Sequence, residues 1–343
     1  MFNWFSRQFL HHQNFAGYIE PVVQLFKPSW RSGYYRAKIL AVKSLGNKVL
    51  AVELKAEASW PTHQAGQHIE LTHEVNGVLK TRVFTIASSP NQAMHEGVIR
   101  LVIKMQDEGA FTPSLVHLEK GNWVNISAPK GRFLLPEHTA VTFFAAGSGI
   151  TPFIAMLHQA MHQSSQPIHL VYFARPNQHL LVAELKSLAN RLSKFTFELL
   201  TRQSDGDVTT HLSRFAHTHF MVCGPNAFYN DISEYAQAHK IPCDSEHFSL
   251  LPHTDVSEKM KTFRVTHNGI PFDANNQEPL LAQYQSQKLN VPYGCGMGVC
   301  HQCQCVKKKG IVRDIRTGKL SDYGEELIQL CVSQVVSDVE LEA

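Results

Sequence analysis

At 343 residues, with 43% hydrophobic and 18% charged side chains, the chain exceeds one ordinary core and reads as a globular protein of two or three domains. A formal charge of +3 leaves no nucleic-acid footprint, so no nucleic-acid partner is expected. Seven cysteines, five of them in the last 50 residues, do not form a disulfide framework; with no signal-like opening segment, this points to a reducing, cytoplasmic setting.

Residues 1–35 are an aromatic extension (Trp4, Phe5, Phe9, Phe15, Phe26, Trp30) in which one or two short amphipathic helices are predicted. Residues 36–138 carry short alternating apolar runs, at 38–42, 49–54, 68–72, 82–86, 99–103 and 123–127. Such spacing predicts an antiparallel barrel or sandwich. Across residues 139–250, apolar strands at 141–145, 168–174, 196–201 and 220–223 alternate with helical patterns at 152–163, 180–192 and 226–239. That alternation predicts a doubly wound parallel sheet with helices on both faces. Ala140 to Leu157 is uncharged for eighteen residues, long enough for a membrane span, but Gly147-Ser148-Gly149 and Pro152 interrupt it. Strand, loop and helix are predicted there instead. Residues 251–262 read as a linker, and residues 263–343 hold a strand pair, a helix near 280–287 and the cysteines.

Cys295, Cys300 and Cys303 are separated by four and then two residues, and Cys331 follows after a further 27. This is the plant-type 2Fe–2S spacing: one tight loop aims three thiolates at a small cluster while a separate strand brings the fourth. Gly294, Gly296 and Gly298 let the loop backbone turn N–H groups toward sulfur. The alternatives are a zinc site, for which a second C-x2-C pair is missing, or reduced structural cysteines. Cys305 is expected to be a buried non-ligand, and Lys307-Lys308-Lys309 a solvated turn that could help dock an acidic partner. The segment resembles a plant-type ferredoxin domain, which implies a β-grasp fold and a one-electron carrier.

Arg82-Val83-Phe84-Thr85-Ile86-Ala87-Ser88 suits a flavin. An arginine forks a phosphate, an aromatic two residues on lies on the same strand face, and a neighbouring hydroxyl can reach the reactive ring edge. The segment resembles the R-x-[YF]-[ST]-x-x-S motif of the ferredoxin–NADP reductase superfamily. Gly66-Gln67-His68 stands where that family has P-G-Q-[YFH], with Ala65 replacing the proline. Ile103-Lys104 and Gly109-Ala110-Phe111-Thr112 resemble its adenosine and pyrophosphate segments, with Thr112 in place of serine, and Pro129-Lys130-Gly131-Arg132-Phe133 its closing strand. The resemblance implies an antiparallel flavin-binding β-barrel holding FAD; FMN stays open, because the same domain order occurs in phthalate dioxygenase reductase-like proteins.

Ala146-Gly147-Ser148-Gly149-Ile150-Thr151-Pro152 follows a predicted strand and opens a helix. Gly147 and Gly149 would let a pyrophosphate approach the helix N-terminus, with Thr151 as N-cap and Pro152 as first helical residue. A plain tight turn reads the same way. Cys223-Gly224-Pro225 resembles the family's C-G-P motif, which implies a cysteine beside the transferring hydride as a contact, near Thr85 and Thr151. Arg175 and Arg202 follow the second and third strands, where relatives clasp a 2′-phosphate, so NADPH is expected over NADH. Phe248 resembles the aromatic that shields the flavin where this domain ends.

The resemblance covers residues 36–343 and implies a two-electron to one-electron converter with no side-chain acid, base or nucleophile. The N-terminal segment, Trp30-Arg31-Ser32 and the Arg82 motif look most like fatty-acid (acyl-CoA) desaturase-associated reductases. That implies a membrane diiron partner and peripheral association at the inner membrane face. A reductase for a soluble Rieske or diiron oxygenase, and a non-catalytic redox sensor, are the alternatives.

Overall fold

The computed structural model describes residues 19, 22, 23, 25, 26, 34–106, 110–163, 166–246, 260–294, 296, 298, 302–315 and 318–342. The chain divides into two units, Met1–His247 and Phe248–Ala343. In the first, β1 (Tyr35–Gly46), β2 (Val49–Ala56), β3 (His68–Val75), β4 (Val78–Thr85), β5 (Ile99–Lys104) and β6 (Trp123–Ile126) form one sheet in the order β4-β3-β6-β1-β2-β5. Every ladder is antiparallel. Ile86, just past β4, bridges Leu101 of β5, so the two edges meet and the sheet is a barrel rather than a sandwich. Its interior is filled by inward-facing Ile39, Val52, Leu54, Ile69, Leu71, Leu101 and Ile126, all fully buried. The β3–β4 hairpin turns through Asn76 and Gly77, both at positive φ, the two-residue turn whose twist matches the strands. After β4, α1 (Pro90–Glu96) starts at Ser89, whose side chain accepts from the Gln92 amide in a capping box.

The second sheet of this unit holds β7 (Val141–Ala146), β8 (Ile168–Phe173), β9 (Phe195–Leu200), β10 (His219–Cys223) and β11 (Cys243–Glu246), all parallel, in the order β11-β10-β7-β8-β9. Its helices are α2 (Thr151–Gln163), α3 (Val182–Arg191) and α4 (Asn226–His239). β7 is apolar apart from Thr142 because both faces are covered. Phe143 stacks on Phe153 of α2 at 4.4 Å, while its neighbour Phe144 packs with Phe220 and with Ile232 and Ala236 of α4. The uncharged stretch 140–157 is therefore strand, one 3-10 turn (Gly147–Ile150) and helix. Among the described residues no helix is long and apolar enough to cross a membrane. Strand order reverses between β7 and β10, which opens a crevice at their carboxyl ends.

In the second unit, β12 (Thr262–His267), β13 (Ile270–Asn275), α5 (Leu280–Ser286), β14 (Gln304–Lys309), β15 (Val312–Asp314), β16 (Glu326–Gln329), β17 (Ser333–Val335) and β18 (Val339–Glu342) follow in turn. Five strands pair in the order β13-β12-β18-β14-β16, with β12–β18 parallel, and β15 pairs with β17. Leu280, Leu281 and Tyr284 of α5 pack into one core with Cys303, Cys305, Cys331 and Leu341. A hairpin, a crossing helix and a mixed sheet make this a β-grasp. Here one expectation fails: Lys307-Lys308-Lys309 is no solvated turn but the end of β14, and Lys307 is 0% exposed. Its Nζ donates to the carbonyls of Asp322 (2.7 Å) and Gly324 (2.5 Å), which pins the loop before β16.

Residues 19, 22, 23, 25 and 26 are helical, and Val22, Leu25 and Phe26 are 59%, 78% and 84% exposed. Trp4, Phe5, Phe9, Phe15 and Trp30 lie outside the described residues, as do 251–259 of the expected linker.

Candidate active site

At the mouth of the β7/β10 crevice the two glycines do different work. Gly147 has φ +58° and open space where a Cβ would sit, so its backbone faces a vacancy that a ligand phosphate can approach. A Cβ on Gly149 would overlap the Cys223 carbonyl oxygen and lie 3.0 Å from the Gly224 nitrogen. Gly149 is thus a packing glycine that lets the loop lie on the Cys223-Gly224-Pro225 turn. Thr151 is not the expected N-cap: the 3-10 turn Gly147–Ile150 runs straight into α2, and Thr151 is already helical at φ −61°, ψ −45°. Its hydroxyl donates back to the Ser148 carbonyl at 3.1 Å, and Pro152 is the second residue of the helix.

Cys223 is fully buried, and burial, aided by the charge of Glu246, raises its thiol well above the ordinary range. A thiol held protonated fits a packing contact and not a nucleophile. Phe173 and Leu200 are ladder partners, so Arg175 and Arg202, each two residues further, emerge at the same carboxyl edge. Arg175 is exposed, while Arg202 forms an ion pair with Asp207.

On the barrel, Arg82 and Phe84 share a face as the motif requires. The Arg82 guanidinium lies 5.8 Å over the Phe111 ring and donates to the Thr81 carbonyl at 2.8 Å. Phe84 stacks on the same ring at 6.0 Å. Val83 and Thr85 point the other way, Val83 opposite Glu70 and Thr85 opposite His68. Ile103 is a core residue, not a surface contact, whereas Lys104 is exposed. Thr112 accepts from the Gln106 amide at 2.9 Å in a short helical turn, Phe111–Ser114. Gly109 and Phe248 lie outside the described residues. Gly66, at φ +99°, admits the Phe133 carbonyl where a Cβ would overlap it, which ties the Gly66-Gln67-His68 turn to the closing strand.

Barrel and parallel sheet meet through two charged links that sequence reasoning missed. His68 Nδ1 and Glu246 Oε1 share a 2.9 Å hydrogen bond, both side chains buried, and Glu246 is the ladder partner of Cys223. Burial pushes the Glu246 carboxyl above its ordinary range, against the pull of His68. His68 Nε2 and Glu246 Oε2 are buried without a hydrogen-bond partner. In the second link, Arg100 of β5 forks Glu184 of α3 at 2.7 and 3.1 Å, and His158 Nε2 of α2 donates to Glu184 Oε1 at 2.6 Å. Burial alone would raise the Glu184 carboxyl; the His158 and Arg100 hydrogen bonds and the Arg100 charge bring it down to about 2. A third buried carboxylate, Glu70 inside β3, pairs with Lys130. No local pattern marks these partners.

In the second unit the Cys303 and Cys331 Sγ atoms lie 3.1 Å apart, and the Gly298 amide donates to Cys331 Sγ at 3.0 Å. Gln329 Nε2 holds the Gly298 carbonyl at 3.1 Å. Cys295 and Cys300 lie outside the described residues. Cys305 is buried, and burial, then the nearby Cys303, pushes its thiol up to about 12. The residues present suit all three expected groups. An open glycine cradle, a half-buried arginine beside two aromatics and orphaned polar atoms fit a flavin and a dinucleotide. Two converging sulfurs with an amide aimed at one of them fit a cluster.

A barrel beside a switched parallel sheet, followed by a β-grasp with converging cysteines, defines an electron-transfer reductase. Residues 41–134 match the family described as oxidoreductase FAD-binding domain, 143–234 the oxidoreductase NAD-binding domain, and 263–336 the 2Fe-2S iron-sulfur cluster binding domain. The chain is 26% identical to an NADPH oxidoreductase of Mycobacterium tuberculosis, across 93% of itself and 87% of that protein. It is 24% identical to the stachydrine N-demethylase reductase subunit of Rhizobium meliloti, across 82% and 88%. Among solved structures, phthalate dioxygenase reductase superposes with a TM-score of 0.59 at 22% identity, over 91% of this chain and 98% of that one. The chain belongs to the ferredoxin-reductase-type oxidoreductases that join FAD-binding, NAD-binding and 2Fe–2S domains in that order. It is an NAD(P)H-dependent oxidoreductase.

Proposed function

We infer that this reductase draws electrons from NADPH and delivers them singly to an oxygenase-class acceptor. Its modules are residues 36–138 for the flavin, 139–250 for the dinucleotide and 263–343 for the cluster, with 251–262 as linker. A bound FAD takes an electron pair as hydride and a 2Fe–2S centre passes electrons one at a time, which is the chemistry the protein's own groups must arrange.

Arg82 would clasp the flavin phosphates, with Phe84, Thr85 and Ser88 bordering the ring and ribityl chain. The Gly147–Thr151 turn would receive the dinucleotide phosphates, Cys223-Gly224-Pro225 would border the nicotinamide, and Arg175 and Arg202 would meet the 2′-phosphate. Cys295, Cys300, Cys303 and Cys331 would hold the cluster. The observation that carries the electron path is the convergence of Cys303 and Cys331, 28 residues apart, at 3.1 Å. The acceptor class draws on the names of two relatives, reductases of an N-demethylase and of a dioxygenase.

The test begins with anaerobic purification, identification of the released flavin, and comparison of NADPH with NADH reduction. Protein holding neither flavin nor iron with sulfide after reconstitution defeats the reading. Coupled turnover with a Rieske or diiron oxygenase, against a membrane desaturase, then decides the acceptor. The desaturase reading keeps one supporting observation, the exposed apolar residues Val22, Leu25 and Phe26 at helical spacing. If deleting residues 1–30 leaves membrane association and desaturase coupling intact, the membrane form of that reading fails.

A further inference from the structure

The Arg100–Glu184–His158 link has no part in the electron path described so far, yet its anchors are specific. On the barrel side, Arg100 is tied to the last residues of the flavin motif. Its amide donates to Ser88 Oγ at 3.1 Å, its guanidinium to the Ala87 carbonyl at 3.2 Å, and its carbonyl accepts from the Ala87 amide at 2.7 Å. On the other side, His158 lies on α2 about two turns below the Gly147–Thr151 turn, so that helix is a rigid rod between the carboxylate and the dinucleotide loop. Glu184 itself sits in the first turn of α3, where the helix favours an anion. One carboxylate therefore joins the end of the flavin motif to α2 and α3 of the nucleotide sheet.

The geometry fixes an angle as well as a distance. A planar guanidinium fork allows little rotation about the contact, and His158 holds one of the same carboxylate oxygens from a third direction. The other charged link, His68–Glu246, leaves the barrel from β3 and not β5. Two charged anchors on separate strands oppose hinging of the modules.

We propose that Arg100, Glu184 and His158 form a positioning bridge that sets the reach between the flavin motif 82–88 and the dinucleotide turn 147–151, and thereby the rate of hydride transfer. It rests on reading those two segments as the flavin and dinucleotide sites. None of the three residues touches the reacting atoms; they act through α2 and the Ala87–Ser88 backbone.

The flavin-loaded protein is reduced anaerobically with NADPH in a stopped-flow instrument. Glu184→Gln keeps size and loses the charge, and its limiting reduction rate falls about tenfold or more, as small misplacements at a reacting centre do. NADP+ affinity and flavin content stay at wild-type levels, while the flavin–nicotinamide charge-transfer absorbance weakens and hydrogen exchange at residues 134–140 rises. Arg100→Lys, with a point charge in place of the fork, falls between. His158→Gln, which retains an N–H donor, keeps the rate, and His158→Leu loses it.

A wild-type rate in Glu184→Gln overturns the proposal. So does a loss of rate that only tracks lost flavin, NADP+ affinity and melting temperature. If the Glu184 variant does not fold, equal rates in the two His158 variants overturn it. Wild-type protein that binds no flavin and is not reduced by NADPH defeats the underlying reading, and the bridge with it.

Discussion

Glu184 in the first unit and Lys307 in the second are both largely buried charges, and they are met in opposite ways. Glu184 is answered by an arginine fork and a histidine from other elements, 84 and 26 residues away. Among the described residues, Lys307 is answered by backbone carbonyls 15 and 17 residues on. The same contrast runs through the two sites. The cleft of the first unit is built from pairs distant in sequence, His68 with Glu246 and Gly149 against Cys223. The described part of the second unit's site brings together Cys303, the Gly298 amide and the returning Cys331. Long-range ion pairs bind modules to one another and make that union respond to pH; carbonyl-held and sulfur-held groups keep their effects inside one module.

Four experiments break or sharpen this contrast. Cys331→Ser removes the cluster almost entirely, read as iron and sulfide content of anaerobic protein, while flavin reduction by NADPH keeps its wild-type rate. A parallel fall in flavin reduction would mean that the second site is not self-contained. Gly149→Ala forces a Cβ into the Cys223 carbonyl and costs about 3 kcal/mol or more by urea denaturation. Gly147→Ala, with open space around it, costs about 1 kcal/mol for its positive φ.

Acid separates the units. The Glu184 carboxyl lies at about 2 in the folded protein against an ordinary 4.5, so its stabilising effect is complete above pH 4.5 and vanishes as pH falls toward 2. The difference corresponds to about 3 kcal/mol. The urea midpoint of the first unit should therefore drop across that window, and Glu184→Gln should flatten the drop. Lys307→Met gives a smaller effect than acid does, about 2 kcal/mol from two carbonyls left without a donor. Its loss should be confined to the second unit and leave the acid profile of the first unchanged.

What was readable beforehand follows the same division. Helix 226–239 and the five-residue core of β7 were legible because periodicity and continuous apolar runs are local signals. The cysteine spacing was legible for the same reason. Thr151 was misread because Thr-Pro looks like a helix start, whereas the 3-10 turn before it already supplies helical geometry. Lys307 was misread because three lysines suggest solvent. Yet Cys305 and Lys307 lie two apart on β14, and strand alternation alone points both inward. Arg100–Glu184, His68–Glu246 and Glu70–Lys130 had no sequence signal, since nothing local chooses a partner 60 to 178 residues away.

The Lys307 amine also sets a rule for anyone grafting this ferredoxin module onto another reductase. A chimaera whose junction or loop trimming discards Asp322 to Gly324 would strand an ammonium group in an apolar interior without the carbonyls that receive it. Transplants that carry the loop and the lysine together, or replace both at once, escape that penalty.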